Sequence, residues 1–454
     1  MLIHRFLDTA GSRPDKACLI HGGSSLSYSE LASQTDRLAR RLAGRIASGD
    51  RVLVQLRDPL TQLVTFLAII KAGGACVLLD TETTPAVAAS LMKRHGLHLC
   101  IDAQFQPPAA LAELPAVSPE AIFFGAFSSG STGQPKLIWR DHHSWTSAFA
   151  AQSEVFGLGG DDILYLAGSL VYTANLNACL QLLAAGGTVV FAGGGMPRAW
   201  AAEMAACRAT AVFMVPTNYR RLLAVLREPL PAVTSATSCG AKLDAGTAQR
   251  LQFAFPQARI IEYYGASELG HVSYQTAAEL VAHPGSVGRA FPGVSITIED
   301  KQIRVVSPYL APAYRPQAAI GDLGHLDRDG YLYLEGRLKG LINSGGVKVA
   351  PEQVEQVLLQ CPGVAEAVVG GIADPVRGQT VCAWLVKSRP ELSSRDVLAF
   401  CRGKMLPHCC PRRIFFVDAM PLTSGGKIDK RRLLAEQRPA ERPPMPAGGF
   451  TAEQ

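Results

Sequence analysis

Twice in this chain a helix-length apolar run is cut by paired glycines and followed at once by a short, continuous apolar stretch. The first case is 63–71, then Gly73-Gly74, then residues 75–80; the second is 176–184, then Gly186-Gly187, then 188–191. A strand that is apolar on both faces has to be covered on both, so the pattern predicts parallel sheets flanked by helices. Residues 51–56, 211–216 and 259–264 continue the theme, and 32–42 reads as an amphipathic helix with Ser27 or Ser29 as its cap. In such sheets ligands bind where strands end in loops.

From about residue 288 the texture changes. Segments 294–299, 302–306 and 331–334 alternate or are rich in β-formers, which predicts a small antiparallel unit. Charge and glycine at 336–340 then mark a hinge. Beyond it, Pro351 opens a helix that runs to about 360 and stops at Pro362-Gly363. Strands at 365–370, 381–386 and 413–417, with a helix at 394–405, make a compact α+β domain. After Leu434 the chain is rich in Glu, Arg, Pro and Gly, and is expected to be disordered. The fold class expected is therefore α/β. A large N-terminal lobe of doubly wound sheets (1–336) carries a small antiparallel β unit; a hinge (337–340), a small mobile α+β C-terminal domain (341–437) and a tail (438–454) follow. A length of 454 residues accommodates about three such units.

Composition excludes several classes. The net charge of +6, from 44 basic and 38 acidic residues, is mild and spread out; it suits a small anionic substrate and does not suggest nucleic acid. No run reaches the ~20 apolar residues of a membrane span, since Phe66-Leu67-Ala68-Ile69-Ile70 is stopped by Lys71. Met1-Leu2-Ile3-His4-Arg5 opens no signal peptide. The eleven cysteines have no framework spacing, so reduced thiols and a cytoplasmic location are expected.

The chemistry sits in polar clusters between the apolar runs. Residues 122–127 read as a buried strand, and Ser128-Ser129-Gly130-Ser131-Thr132-Gly133-Gln134-Pro135-Lys136 as the loop leaving it. Its glycines allow close backbone approach to an anion, its hydroxyls can surround phosphate oxygens, and Lys136 adds positive charge. It is not the common P-loop, because Pro135 precedes the lysine and Leu137 follows it. Tyr263-Tyr264-Gly265-Ala266-Ser267-Glu268 places a hydroxyl and a carboxylate at the end of a strand, a set suited to magnesium on a triphosphate. Asp322 after Gly321 could accept from vicinal hydroxyls. Gly336-Arg337 and the glycine-flanked Lys427 in 421–429 complete the set.

In order and content these motifs resemble the adenylate-forming superfamily: acyl- and aryl-CoA synthetases, luciferases and the adenylation domains of peptide synthetases. The resemblance spans residues 26–433 and rests on SSGSTGQPK, YYGASE, the Gly321-Asp322 pair, GRLKGLINSGGVKVAPEQVE and PLTSGGKIDK. It implies ATP-dependent activation of a carboxylic acid as an acyl-adenylate, with magnesium, and transfer to CoA or to the phosphopantetheine arm of a carrier protein. Residue by residue it implies that Thr132, its neighbouring hydroxyls and Lys136 bind the β- and γ-phosphates. Gly240 and Ala241 would line the adenine site beside Tyr264. Ser267 would touch the α-phosphate and Glu268 would hold magnesium. Asp322 and Arg337 would take the ribose, and Lys427 would reach the α-phosphate and the substrate carboxylate. Ser267 stands where the family has threonine, and Leu137 where it usually has glycine.

The same resemblance makes Lys339 the pivot of the C-terminal domain and Gly345-Gly346 the slim backbone of a thiol channel. Amino-acid-activating relatives hold the substrate ammonium with an aspartate; the matching position falls near Thr173, where no carboxylate is present. A fatty, aryl or aryl-alkenoic acid is therefore expected, with Tyr172, Asn175, Gly265 and Ala266 as pocket candidates. A regulatory nucleotide binder without turnover is disfavoured by the intact Lys136, Glu268, Asp322, Arg337 and Lys427. We expect Lys339→Pro to spare adenylate formation and cripple thioester formation; equal loss of both half-reactions, measured separately, would argue against a hinge there.

Overall fold

The first of the two helical runs lies within the helix Pro59–Lys71. Asp58 caps it, accepting from the Thr61 amide at 2.8 Å, and Pro59 occupies the first turn. Leu60 and every residue from Gln62 to Ile70 are buried. A helix with no wet face must be surrounded, and this one packs on Arg51–Val54 and Ala75–Leu78 of one sheet and on Ala17–His21 of another. Its buried amide, Gln62, is satisfied by the Leu56 carbonyl at 3.1 Å. The computed structural model that shows this describes residues 2–129, 135–338, 340–344, 347–374, 378–402, 404–423 and 427–436. It divides into a larger unit, 1–335 together with Lys427, and a smaller one formed by Gly336–Thr423 and the chain from Ile428.

In the larger unit, one sheet has five strands in the order Leu99–Ile101, Arg51–Val54, Ala75–Leu78, Ile122–Ser129, Pro135–Asp141. Its pairs are parallel except the last, an antiparallel hairpin. The other sheet has nine strands. Its parallel centre runs Arg259–Ala266, Ser235–Ser238, Ala211–Met214, Ile163–Leu166, Thr188–Phe191, Ala17–His21. Antiparallel strands finish both edges: Gly270–Thr276 and Arg289–Ala290 at one, Ser24–Ser27 at the other. The helix Thr173–Ala185 packs on the strands Ile163–Leu166 and Thr188–Phe191. Ser27 caps the helix Tyr28–Ala43 in a reciprocal box with Glu30. The small antiparallel sheet holds Ser295–Glu299, Gln302–Val306, Asp322–Leu326 and Leu332–Arg337, with Gln317–Ala318 alongside.

The smaller unit is a sheet of Val347–Val349, Ile342–Ser344, Gly378–Lys387 and Val364–Asp374, with Arg413–Phe416 added parallel to Gly378–Lys387. Helices Pro351–Leu358, Ser394–Arg402 and Lys430–Glu436 accompany it. Val354, Leu358, Val381, Leu385 and Val397 form its core.

The polar stretch at 128–136 differs from expectation. Ser128 and Ser129 complete one strand and Pro135 and Lys136 open the next, with Ser128 opposite Lys136 in register. Antiparallel pairing thus extends into the stretch from both sides; residues 130–134 lie outside the described residues. The strand expected at 331–334 runs Leu332–Arg337 and absorbs the Gly336-Arg337 pair. The helices expected to reach 360 and 405 end at Leu358 and Arg402. The tail at 438–454 also lies outside the described residues. All eleven cysteines are free, and among the described residues no helix is long and apolar enough to cross a membrane.

One glycine ties the edge of the large sheet to the small one. The Val287 amide donates to the Leu332 carbonyl and the Leu332 amide to the Gly288 carbonyl, each at 2.8 Å. Gly288 has φ +92°, and a Cβ there would stand 1.9 Å from the Tyr274 carbonyl oxygen. Gly285 has φ +87°, but its nearest neighbour would be the Tyr333 ring at 4.0 Å. Gly285→Ala should therefore lose only the ~1–2 kcal/mol of a left-handed side chain, and Gly288→Ala more than about 3 kcal/mol. Denaturant unfolding measures both, and equal losses would refute the steric account.

Candidate active site

Strand Arg259–Ala266 ends inside the YYGASE motif, so Ser267 and Glu268 form the turn that leads back into Gly270–Thr276. Glycine at 265 is required by close approach: a Cβ would meet the Gly270 carbonyl oxygen at 2.3 Å. From this strand end, contacts run to four other segments. The Tyr264 hydroxyl donates to Oδ2 of the buried Asp322, which opens the strand Asp322–Leu326. The Ser267 hydroxyl lies 3.1 Å from that of Thr173, at the first turn of its helix. The Ser267 carbonyl accepts from Arg140 Nη1 at 2.8 Å, and the Glu268 carbonyl accepts from the Ala311 amide at 2.9 Å.

Across the parallel centre, Ser235–Ser238 ends beside Arg259–Ala266, with Ser238 opposite Glu262. Ser238 is fully buried, and among the described residues its Oγ finds no partner. Gly240 follows with φ +82°, a conformation that favours glycine. Lys427 belongs to the same compact unit; a Cβ on Gly240 would lie 2.9 Å from its Cε and 3.3 Å from its Nζ. Ala241 is exposed, and Lys242 pairs with the buried Glu262. Glu262 also accepts from the Leu243 amide at 2.6 Å and from Gln275 at 2.7 Å, so it is a structural carboxylate.

Of the sequence-derived residues, Tyr264, Asp322, Ser267 and Glu268 are therefore gathered around one strand end, and Gly240 and Lys427 lie against each other. Ser128, Ser129 and Lys136 lie on the hairpin Ile122–Ser129/Pro135–Asp141, where Lys136 is exposed. Arg337 is the exposed last residue of Leu332–Arg337 and belongs to the smaller unit. Gly130, Ser131, Thr132, Gly133, Lys339, Gly345 and Gly346 lie outside the described residues. Tyr172 is the residue before the helix Thr173–Ala185. Asn175 is buried and donates to the Ser169 carbonyl at 2.9 Å, so its amide braces the preceding loop.

Sequence reasoning missed four polar residues around the pocket candidates. His271 stands opposite Gly265 in the antiparallel ladder. Its ring lies 4.7 Å from Tyr263 and 4.8 Å from Phe291. Gln152 donates to Asn177 Oδ1 at 2.6 Å and lies 3.3 Å from His271 Nε2. Asn177 is one helical turn from Thr173, hence on the same face. The fourth, Arg140, was legible as a charge directly after the apolar 137–139 run; the other three carried no signal without knowledge of their neighbours.

Among the described residues no group of three or more His, Cys, Asp or Glu could hold a metal ion. A lone Glu268 fits magnesium, which takes one or two carboxylates and completes its shell with phosphate oxygens and water. It does not fit an all-protein metal cage. The orphaned Ser238 hydroxyl beside the Gly240 turn suits a ligand edge that brings its own hydrogen-bonding groups.

Burial pulls the His271 imidazole down to about 3, with the Arg140 charge pushing the same way. The ring is neutral at physiological pH. As pH falls below the ordinary histidine value of 6.5, the unfolded chain binds the proton and the folded one does not, so native stability declines with falling pH. The slope is at most ~1.4 kcal/mol per pH unit. His271→Asn should flatten the stability profile between pH 7 and 5 relative to the parent. Identical profiles in urea titrations would show that the ring titrates normally in the fold.

The AMP-binding enzyme family model matches residues 6–116 and 101–309, and the model for the C-terminal domain of AMP-binding enzymes matches 353–427. An uncharacterised acyl–CoA ligase of Bacillus subtilis, YhfT, is 28% identical over 472 residues, covering 95% of this chain and 97% of that protein. A feruloyl-CoA synthase of Amycolatopsis is 29% identical over 473 residues, covering 92% and 95%. Among solved structures, ATP-bound MatB of Rhodopseudomonas palustris superposes with a TM-score of 0.82 at 25% identity, covering 96% of this chain and 98% of that one. The o-succinylbenzoate CoA synthetase of Bacillus subtilis, at 22% identity and TM-score 0.83 over 94% and 97%, shares the fold. With both family models matched along most of its length, the chain belongs to the AMP-binding enzyme family and is an AMP-forming acid–thiol ligase.

Proposed function

We propose that this enzyme activates a fatty, aryl or aryl-alkenoic acid as its acyl-adenylate, releases pyrophosphate, and passes the acyl group to the thiol of CoA. The observation that carries the reading is that the strand end holding Tyr264, Ser267 and Glu268 is bonded to two distant segments, through Asp322 and Thr173. Support comes from relatives named for such acids, feruloyl-CoA synthase and 3-hydroxybenzoate/4-hydroxybenzoate CoA ligase among them. The neutral His271 opposite Gly265 is consistent with an acid that carries no second charge. Thr173, whose hydroxyl lies beside that of Ser267, offers no carboxylate to hold an ammonium.

The first step joins two anions. A carboxylate oxygen attacks the α-phosphorus, the bond to the β-phosphate oxygen breaks, and pyrophosphate leaves. Lys427 neutralises charge as the crowded phosphorus forms, and Lys136 follows the charge onto the leaving pyrophosphate. Asp322, held by the Tyr264 hydroxyl, takes the ribose hydroxyls, with Arg337 as the second ribose contact. Ser267 keeps a hydroxyl on the α-phosphate, and Gly240 and Ala241 border the base. Glu268 would hold magnesium, which would supply charge neutralisation at the triphosphate. In the second step the CoA thiolate attacks the acyl carbon through the Gly345-Gly346 channel and AMP leaves; Lys339 is the pivot between the two steps.

Pyrophosphate release measured across a panel of carboxylic acids tests the assignment and names the acid. Release should require ATP, magnesium and a member of the proposed class, and free CoA at low concentration should saturate thioester formation. Lys427→Ala should lower adenylate formation by ~10²–10³-fold, the typical loss of one preorganised donor, with ATP binding largely kept. A silent panel would overturn the function, and near-normal adenylation by Lys427→Ala would overturn that residue's role.

A further inference from the structure

We propose that Arg140 is a positioning residue, fixing the Ser267–Glu268 turn against the hairpin strand that carries Lys136, so that the Glu268 carboxylate is presented to the nucleotide-bound metal. The inference rests on the site reading above. Arg140 lies on the strand Pro135–Asp141, and its side chain is 2% exposed. Nη1 donates to the Ser267 carbonyl at 2.8 Å, and Nη2 to the Tyr309 carbonyl at 2.6 Å and the Ser144 carbonyl at 3.2 Å. Nε donates to Ser144 Oγ at 3.2 Å. None of these acceptors is a carboxylate. The adjacent buried carboxylate, Asp141, is engaged by Arg315 at 2.8 and 2.9 Å and by the Ser144 amide at 2.9 Å.

Burying a guanidinium without a directly bonded carboxylate is unfavourable, and apolar side chains of similar volume usually stabilise a core as well or better. What an apolar residue cannot do is bond two carbonyls on separate turns at once. The planar fork of arginine can, and the ammonium of lysine, a single point of attachment, cannot do so in the same geometry. The two carbonyls belong to the segments that hold the metal-side turn. Ser267 is in that turn, and Tyr309 lies two residues before Ala311, whose amide bonds the Glu268 carbonyl at 2.9 Å. Successive carbonyls of the turn are thus anchored, one by Arg140 directly and one by a segment that Arg140 also grips. The Arg140 charge also interacts favourably with the Glu268 carboxylate, without a direct bond.

Calorimetric titration of ATP, with and without magnesium, reads this without turnover. The parent should bind ATP more tightly when magnesium is present. Arg140→Met should lose ~10–100-fold of that enhancement, the scale seen when residues behind a metal ligand are removed. Arg140→Lys should fall between the two, and metal-free ATP binding should stay near the parent's in both. Asp141→Asn, which loosens the same strand without touching Ser267, should keep the parent's magnesium response. Glu268→Gln separates the two ideas. If it leaves the magnesium response intact, the site reading fails. If it abolishes the response while folded Arg140→Lys and Arg140→Met keep it, the site reading stands and this inference is overturned. Equal loss of metal-free and metal-bound affinity, or the same loss in Asp141→Asn, would show a merely structural role and also overturn it. Should Arg140→Met fail to fold, Arg140→Lys decides alone: a parental magnesium response in that variant overturns the proposal.

Discussion

Parallel strands have two faces to hide, and this chain meets that demand with a helix that has no outside. Pro59–Lys71 packs on strands of both sheets of the larger unit and on the helix Tyr28–Ala43, so the same thirteen residues cover part of each sheet. Burial of this kind is worth ~1.5–3 kcal/mol for each large aliphatic side chain relative to exposure. The helix therefore couples the sheets far more strongly than any single polar contact in the site. Both polar elements of the site then follow from topology: the hairpin continues one sheet, and the YYGASE strand ends in the other.

That arrangement leaves a cost at the strand ends. Where a ladder stops, buried carbonyls lose their partners, and each unpaired one costs about 1–3 kcal/mol. The chain covers these losses with donors brought in from elsewhere: the Arg140 side chain on the Ser267 and Tyr309 carbonyls, and the Ala311 backbone amide on the Glu268 carbonyl. The groups that rigidify the candidate site are thus the same groups that let the sheet end there. This is why the turn can hold a hydroxyl and a carboxylate in fixed places although it belongs to no regular element.

The sequence made the helix–glycine–strand alternation readable because burial on both faces removes polar residues from whole segments, as at 75–78 and 188–191. Motif residues were legible where chemistry demands a residue type regardless of neighbours, as with Lys136, Glu268 and Asp322. The strand pairing of 128–129 with 135–136 was not, because a run of Ser, Gly and Pro signals a loop even where its ends continue a ladder. Nor were Gln152, Asn177 and His271. Each is an ordinary polar residue in its own segment, and only the pairing of Gly265 with His271 and the helical step from Thr173 to Asn177 bring them beside the pocket candidates. Tertiary proximity, not local pattern, defines them.

The contrast between buried and exposed cations in this site has a physical consequence. Arg140 is sealed in with fixed oxygen partners, whereas Lys136 and Lys427 are exposed. In the proposed reaction negative charge moves from the acid carboxylate to the α-phosphate and on to the departing pyrophosphate. A cation that follows moving charge must reorient, which water and a flexible four-carbon stem allow and a buried fork does not. A cation that defines geometry must stay still, and burial against main-chain carbonyls enforces that. Exposed lysines and a buried arginine are therefore not interchangeable positive charges: under the proposed reaction the first would neutralise and the second would place.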